Sequence, residues 1–207
     1  MGSNLSTLKK ADLIKLIETM DNNNSNKNET SVLSSNDRLI IKSGIVGKTI
    51  IKPSKTREIT IIGHSRGTKI SLKELENCSM FTDNLIRLLE SGLLYFDNDN
   101  GYDFLGLDVP SFKYSEKNLN EVFLNRDIVE FIKKQVNYSS LNNNKEVFVK
   151  EYTADELTIL NTIQYNIARF VINGNKLDMI QQANLNEFFK PITVAMLCEY
   201  YKMAGLG

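Results

Sequence analysis

The chain has 207 residues, with 25 basic and 25 acidic side chains, a net charge of zero and 42% hydrophobic residues. This length allows one full domain or two small ones, and the hydrophobic share excludes a chain that is disordered throughout. One His, two Cys and no Trp leave most metal and nucleophile chemistries without their residues. Cys78 and Cys198 are far apart in the sequence and are expected to be buried reduced thiols, which excludes a disulfide-stapled secreted scaffold.

Residues 1–20 are predicted to form an amphipathic helix, in which Leu8, Leu13 and Leu16 recur at roughly helical spacing. An Asn-rich stretch then predicts a flexible linker over residues 21–37. Such a helix cannot bury its apolar face alone, so we expect it to dock on the body or on another subunit. Gly2 matches the myristoylation pattern, and the sequence leaves its modification open. No secretory signal is recognised, and no apolar run approaches the roughly 18 residues of a membrane helix.

The next region, residues 38–109, is predicted to be a small β-rich module. Short β-branched runs separated by Gly and Pro indicate hairpins. The predicted strands are Arg38–Lys42, Ile45–Ile51, Arg57–Ile62 and Lys69–Leu72, with turns at Ser43–Gly44 and Gly63–Gly67.

Two short helices and a hairpin are predicted to complete this module. Ser71 opens the first helix, Leu72–Asn77, and Gly92 ends the second, Thr82–Ser91. Asn98–Gly101 lies between two apolar runs, Leu93–Phe96 and Tyr102–Leu105, and Asn-Gly in that position predicts a β-hairpin.

Residues 110–207 are predicted to be mainly helical. A capping box at Thr153–Glu156 opens a helix that stops at Asn173–Gly174. The other predicted features are an element starting near Leu119, a helix from Ile128 to Val136 with Asn125 as its N-cap, an Asn-rich spacer at Asn142–Asn144, a short strand at Val147–Val149 and a last helix at Thr193–Met203.

Gly63–Gly67 matches G-x-S-x-G, the nucleophile elbow of α/β-hydrolases, and follows a predicted strand. In that family, the catalytic serine gives its proton to a histidine that follows it in the chain. His64 is the only histidine in the sequence and is adjacent to Ser65 within the motif itself. The motif therefore predicts a Gly-flanked β-turn, and we expect no enzymatic activity.

Two other motifs lack residues or secondary structure that their functions require. Lys42–Thr49 resembles a P-loop, but Lys42 stands where glycine is needed, and the β-branched residues and proline that follow oppose a helix. Asp97, Asp99 and Asp103 suggest a calcium loop, but Tyr102 occupies its glycine position and no Glu closes it. No metal or cofactor site is predicted.

The zero net charge conceals a strong segregation along the sequence. Arg38–Lys73 contains nine basic residues against one acidic residue, a net charge near +8. Glu74–Asp108 contains eight acidic residues against one basic residue, a net charge near −7. Opposite charges of this kind favour contact between protein surfaces, either within one module or between neighbouring copies.

Two helices and a hairpin over Leu72–Leu105 resemble a winged helix-turn-helix. Its recognition helix would be Thr82–Ser91, and its wing would carry the three aspartates of the rejected calcium loop. DNA phosphates need cations at both surfaces, so this module would repel DNA. The basic strands before it could still contact nucleic acid, which leaves a nucleic-acid-binding regulator with a winged-helix-like module as the alternative function.

A wider resemblance covers residues 38 to about 185. The β-rich start ends in Thr68–Glu76, a glycine turn leads into the apolar run Gly92–Phe96, and a helical tail carries Ile128–Phe131, Ile163 and Ile167. This pattern resembles structural, neck-type virion proteins of large tailed bacteriophages. The resemblance implies a non-enzymatic subunit that packs among many copies, in the virion or in the host cytoplasm before assembly.

The sequence therefore predicts an α+β protein with an N-terminal helix on a flexible linker, a small β-rich module and a mainly helical C-terminal half, residues 110–207. Its predicted function is a structural or assembly role through contacts with other protein subunits, including copies of itself. Nucleic acid is a less favoured partner, and no membrane span is expected. The predicted contact residues are Leu8, Leu13 and Leu16 as apolar anchors, with Lys48, Lys52, Lys55, Arg57 and Arg66 as polar contacts.

Overall fold

The computed structural model of the chain describes residues 37–82, 84–136 and 152–205. The predicted helix of residues 1–20, with its anchors Leu8, Leu13 and Leu16, lies outside the described residues. So do the predicted linker up to residue 36, the Asn142–Asn144 spacer and the predicted strand at Val147–Val149. The described part is α+β, which confirms the predicted fold class.

Five strands and eight helices lie in the described part. The strands are β1 (Arg38–Ser43), β2 (Lys48–Ser54), β3 (Arg57–Ile62), β4 (Thr68–Ser71) and β5 (Leu94–Phe96). The helices are α1 (Leu72–Phe81), α2 (Leu85–Glu90), α3 (Asn100–Leu105), α4 (Glu116–Asn125), α5 (Ile128–Gln135), α6 (Ala154–Ile172), α7 (Met179–Phe188) and α8 (Val194–Met203).

The strands form two antiparallel sheets. β1 is the middle strand of a sheet in the order β4–β1–β5, while β2 and β3 form a separate hairpin. The predicted hairpin between β2 and β3 is therefore confirmed, but Ser43–Gly44 does not pair β1 with β2. Instead the backbone N–H of Gly44 donates to the carbonyl of Leu93 at 2.8 Å, which continues the β1–β5 edge.

Helix α1 packs against the β2–β3 hairpin and begins where the sequence predicts. The Ser71 hydroxyl accepts from the backbone N–H of Glu74, and the Glu74 carboxylate accepts from the backbone N–H of Ser71, which completes a capping box. The helix continues to Phe81, beyond the predicted end at Asn77, and Thr82 then accepts from the backbone N–H of Lys52 at 2.7 Å. Ile51, Pro53, Ile61, Leu75 and Cys78 are buried on this side of the hairpin.

The predicted hairpin around Asn98–Gly101 is wrong. Leu94–Phe96 forms β5 and pairs with β1, whereas Tyr102–Leu105 belongs to helix α3. The reason is close packing: a Cβ atom on Gly101 would lie 2.5 Å from Cδ2 of Phe96. The glycine is needed for this approach to the Phe96 ring, and not for a left-handed turn. Without the hairpin, the winged-helix module has no wing.

The C-terminal half packs its helices around α6. One cluster of buried side chains runs from Leu93 through α4, α5, α6 and α7 to Tyr201 in α8. Thr153 and Glu156 form the predicted capping box of α6, and Asn173 and Gly174 end that helix as predicted. Cys78 and Cys198 are both buried and free, also as predicted.

In the helical regions, the starts of two helices differ from the prediction, and one helix was not predicted. Helix α2 is shorter than Thr82–Ser91, and Gly92 follows it in a left-handed conformation with φ of 74°. The N-cap of α5 is Asp127, whose side chain accepts from the backbone N–H of Glu130 at 3.0 Å, and not Asn125, which ends α4. Helix α7 was not predicted, although Asp178 and Gln181 form its capping box.

Candidate interaction surfaces

The predicted polar contact residues do not form one patch. Lys48 pairs across the hairpin with Ile62, beside the loop of residues 63–67 that carries Arg66. Lys52, Lys55 and Arg57 lie toward the other end, where β2 turns into β3. All five side chains are exposed. The hairpin therefore has two separate basic ends.

The outward face of the hairpin mixes charge with apolar surface. Lys52 forms an ion pair with Glu58 across the strands at 3.2 Å. Ile50 and Ile62 are exposed on this same face. Lys48, Lys55 and Arg66 form no ion pair with any described residue.

Arg57 belongs to a different surface, a hollow of about 650 Å³ between β1, the hairpin and the start of α1. Its walls carry three basic side chains, Arg38, Arg57 and Lys73, around Glu74. The pKa of the Glu74 carboxyl lies below its usual value, chiefly because the backbone N–H of Ser71 donates to it. The Ser71 hydroxyl and the two guanidinium groups lower it further. The hollow is therefore net positive.

The basic stretch Arg38–Lys73 and the acidic stretch Glu74–Asp108 contact each other within one chain. Lys42 on β1 pairs with Asp97 just after β5, and Arg57 pairs with Glu74, so two ion pairs join the basic stretch to the acidic one. Asp99 pairs instead with Lys113 at 2.8 Å. The expected attraction within one module is confirmed for these pairs, while attraction between copies through the same charges remains a prediction.

The aspartates of the rejected calcium loop are separated by these ion pairs. Asp97 and Asp99 each bind a different lysine, and Asp103 lies in the first turn of α3. In the ranges that the structure covers, no three His, Cys, Asp or Glu side chains come together as a metal site requires.

The loop of residues 63–67 holds the chain's single histidine in a left-handed conformation, with φ of 56°. The backbone N–H of His64 donates to the carbonyl of Ser43 at 3.0 Å, and its ring centroid lies 5.0 Å from that of Tyr165. Its Nε2 atom is buried and has no hydrogen-bond partner among the described residues. Burial lowers the pKa of His64, and the nearby charge of Arg169 lowers it further. Both effects favour the neutral form of the imidazole.

Ser65 does not use this imidazole. Its hydroxyl donates to the carbonyl of Ile62 at 2.7 Å and accepts from the backbone N–H of Gly67 at 3.2 Å. Both bonds lie within the turn, as the sequence predicts for a Gly-flanked β-turn.

A groove of about 740 Å³ opens beside the loop, and Tyr95 lies in its lining. Burial raises the pKa of the Tyr95 hydroxyl to about 12.

The sequence did not reveal a surface on α8. Thr193 caps this helix by accepting from the backbone N–H of Met196, and Val194, Leu197, Cys198 and Tyr201 form its buried face. The opposite face is also apolar: Met196 is 52% exposed, Tyr200 61% and Met203 85%. We call these three residues the C-terminal stripe. Their spacing of four and three residues places them on one side of the helix.

The sequence shows that α8 has a second apolar face, but not which of its two faces is exposed. Helix α8 is apolar on both sides, which is typical of a helix buried all round. In the described part, however, α8 packs on one side, where Tyr201 meets Tyr165 of α6 at 5.1 Å between ring centroids. The second apolar face is therefore the one left exposed.

Comparisons with protein-family models, curated proteins and solved structures find no match to this chain. Within the described ranges, no helix has both the length and the apolar character needed to cross a membrane.

Proposed function

We propose that the chain is a non-enzymatic assembly protein that acts through protein–protein contacts, as a multi-copy component of a tailed phage virion. The observation that carries the contact role is the C-terminal stripe. Large apolar side chains that share one exposed helix face are typical of surfaces that bind another protein. The virion setting rests on the resemblance of residues 38 to about 185 to neck-type structural proteins.

The geometry of the His64 loop supports a role without catalysis. A serine nucleophile needs its hydroxyl hydrogen-bonded to a base, and the base needs a group that orients it. Ser65 donates to a backbone carbonyl, and the Nε2 atom of His64 is buried without a partner in the described part. The Ser65 hydroxyl is therefore not hydrogen-bonded to a base in this loop.

Mass spectrometry of particles purified from the source tests the proposal. We expect the chain at a fixed copy number per particle. Replacing Met203 by Glu should reduce that copy number, because a charge on the stripe opposes burial. Met179→Glu is the matched control, since Met179 is 88% exposed but lies on α7. Absence of the chain from the particles would refute the virion role, and equal effects of both variants would refute the role of the stripe.

The alternative function, binding of nucleic acid, is favoured by one observation. Arg38, Arg57 and Lys73 line a net-positive hollow, and phosphates bind to such clusters of cations. A titration with duplex DNA across a salt series distinguishes the two functions. Micromolar affinity that falls steeply with salt would favour the regulator over the assembly protein. Absence of binding at low salt would rule out the function as a nucleic-acid-binding regulator.

A further inference from the structure

We propose that the hollow between β1, the β2–β3 hairpin and the start of α1 binds a small phosphate monoester, whose phosphate is recognised by Arg38, Arg57 and Lys73. This ligand goes beyond the proposed assembly role, and it differs from the nucleic acid of the alternative function. Three observations carry the proposal: the convergence of the cations, their unused donors and the net charge of the hollow.

The fold brings the three cations together from three different elements. Arg38 on β1 pairs in register with Ser71, the residue that caps α1. Lys73 follows two residues later, in the first turn of that helix. Arg57 begins β3 and reaches the same turn through its ion pair with Glu74. Cations that are distant in the sequence therefore line one cavity of about 650 Å³.

Three side chains in the lining of the hollow have unused hydrogen-bond donors. Arg38 and Lys73 form no ion pair and no side-chain hydrogen bond with any described residue. The half-buried side-chain amide of Asn77, one helical turn after Lys73, also has no partner in the described part of the chain. A ligand phosphate can therefore accept from all three without breaking a bond within the chain.

The net charge of the hollow matches that of a phosphate monoester. The pKa of the Glu74 carboxyl lies below its usual value, so this group is ionised at neutral pH and offsets one cation. Three cations and one carboxylate leave a net charge near +2. A phosphate monoester carries about −1.5 to −2 at pH 7. The two arginines suit it further, because a guanidinium group can donate to two phosphate oxygens at once.

The borders of the hollow favour a compact anion over an extended one. Each cation has an exposed acidic residue within three positions of it in the sequence, and none of these lines the hollow: Asp37, Glu58 and Glu76. A nucleic acid that continued past the hollow would approach these carboxylates, whereas a single phosphate would contact only the cations. The volume of the hollow also lies within the range of small-molecule sites, about 300–1,000 Å³.

An NMR titration of the full chain with AMP, a phosphate monoester, tests the site. Amide signals of residues 71–77 should shift and saturate, with a dissociation constant on the order of 1 mM because the hollow is open to solvent. Cyclic AMP has the same base and sugar but is a diester with one negative charge, and it should bind at least about fivefold more weakly. Equal binding of the two nucleotides, or no saturation at about 20 mM AMP, would overturn the proposal.

Matched charge changes test the residues. Arg38→Gln and Lys73→Gln should each weaken AMP binding by about fivefold, since each removes a cation from the hollow. Lys69→Gln makes the same change at an exposed lysine of β4 that does not line the hollow, and its effect should stay below about twofold. Equal losses for Lys69→Gln and Lys73→Gln would show binding to overall charge and not to this site.

Glu74→Gln should act in the opposite direction. It removes the negative charge from the hollow and frees Arg57, while glutamine can still complete the capping box with Ser71. AMP binding should therefore tighten by about fivefold. A damaged fold would weaken binding instead, so unchanged or weaker binding by a variant whose amide spectrum is otherwise intact would contradict the proposal.

A final pair of measurements separates the monoester from nucleic acid. Binding of AMP should weaken as pH falls from 7.5 to 5.5, because the phosphate monoester takes up a proton at about pH 6. A single-stranded oligonucleotide without terminal phosphates contains only diesters and should bind more weakly than AMP at equal phosphate concentration. Tighter binding of the oligonucleotide at residues 71–77 would overturn the proposal and favour the nucleic-acid-binding regulator.

Discussion

Arg57, the first residue of β3, forms an ion pair with Glu74 in the first turn of α1. The same carboxylate accepts from the backbone N–H of Ser71 at 3.0 Å and from the Ser71 hydroxyl at 2.9 Å. The Glu74 side chain therefore caps the N-terminus of α1 and also links this helix to the β2–β3 hairpin.

Replacing Glu74 by Ala should lower the free energy of unfolding by about 1 kcal/mol at pH 7, because the capping box and the ion pair are both lost. Glu76→Ala, at an exposed position of the same helix, should change it by less than about 0.5 kcal/mol. Urea denaturation measures both. Equal effects of the two variants would show that the carboxylate of Glu74 does not hold the helix start.

The contribution of Glu74 should depend on pH in a defined direction. Its folded-state pKa is lowered from 4.5, so its stabilising effect is present above pH 4.5 and is lost as pH falls through the lower folded value. The difference in stability between the wild type and Glu74→Ala should therefore shrink from pH 7 to pH 3. A difference that stayed constant over this range would contradict the lowered pKa.

Gly101→Ala should destabilise the fold by about 1–3 kcal/mol, because its new methyl group would overlap the Phe96 ring. In an exposed helix the same change would stabilise, since alanine favours helices by about 1 kcal/mol over glycine. The sign of the change thus tests the close approach. Asn100→Ala, at the exposed neighbouring position, is the control, and thermal unfolding measures all three proteins.

His64 should titrate below the usual pKa of 6.5, because its ring is partly buried near Arg169. The chain contains one histidine, so its ring signals in a proton NMR titration need no assignment. Because the unfolded chain takes up this proton more readily, stability should fall as pH drops below 6.5. His64→Asn keeps a residue that tolerates the left-handed backbone and removes the titration. Its stability should fall less between pH 7 and pH 5, and an equal fall would rule out this role of the imidazole.

Asp127→Ala should cost about 1 kcal/mol through loss of the α5 N-cap. Asn125→Ala, two residues earlier in an exposed position, should have an effect below about 0.5 kcal/mol. Denaturation midpoints of the two variants decide between the two caps. A larger loss for Asn125→Ala would restore the assignment that the sequence favours.

Local signals predicted the starts of several helices. Ser71 and Thr153 are followed three residues later by a glutamate, and each motif forms the capping box that this spacing predicts. The information needed for a cap lies within one helical turn, so the sequence alone contains it. The helix at Met179–Phe188 has a comparable signal, Asp178 with Gln181, so the start of this helix also lies in its local sequence.

Features that depend on distant contacts were not predictable in this way. Asn98–Gly101 has the composition of a hairpin turn, but the residue that determines the role of Gly101 is Phe96 in the neighbouring strand. Charge counting identified Lys42 and Arg57 as members of a basic stretch, but not their partners Asp97 and Glu74, which the fold brings to them. The C-terminal stripe was hidden because both faces of α8 are apolar, and the sequence does not state which face has a neighbour.

The middle position of β1 has a consequence for fragments of this protein. Its two neighbours, β4 and β5, come from residues 68–71 and 94–96, so the second neighbour is supplied much later in the chain. A fragment that ended before residue 94 would leave one edge of β1 with unpaired N–H and C=O groups, which can recruit a strand from another molecule. A truncated version of the β-rich module must therefore extend at least to Asp97, whose backbone N–H donates to the carbonyl of Ile40 at 3.2 Å, to keep β1 paired on both sides.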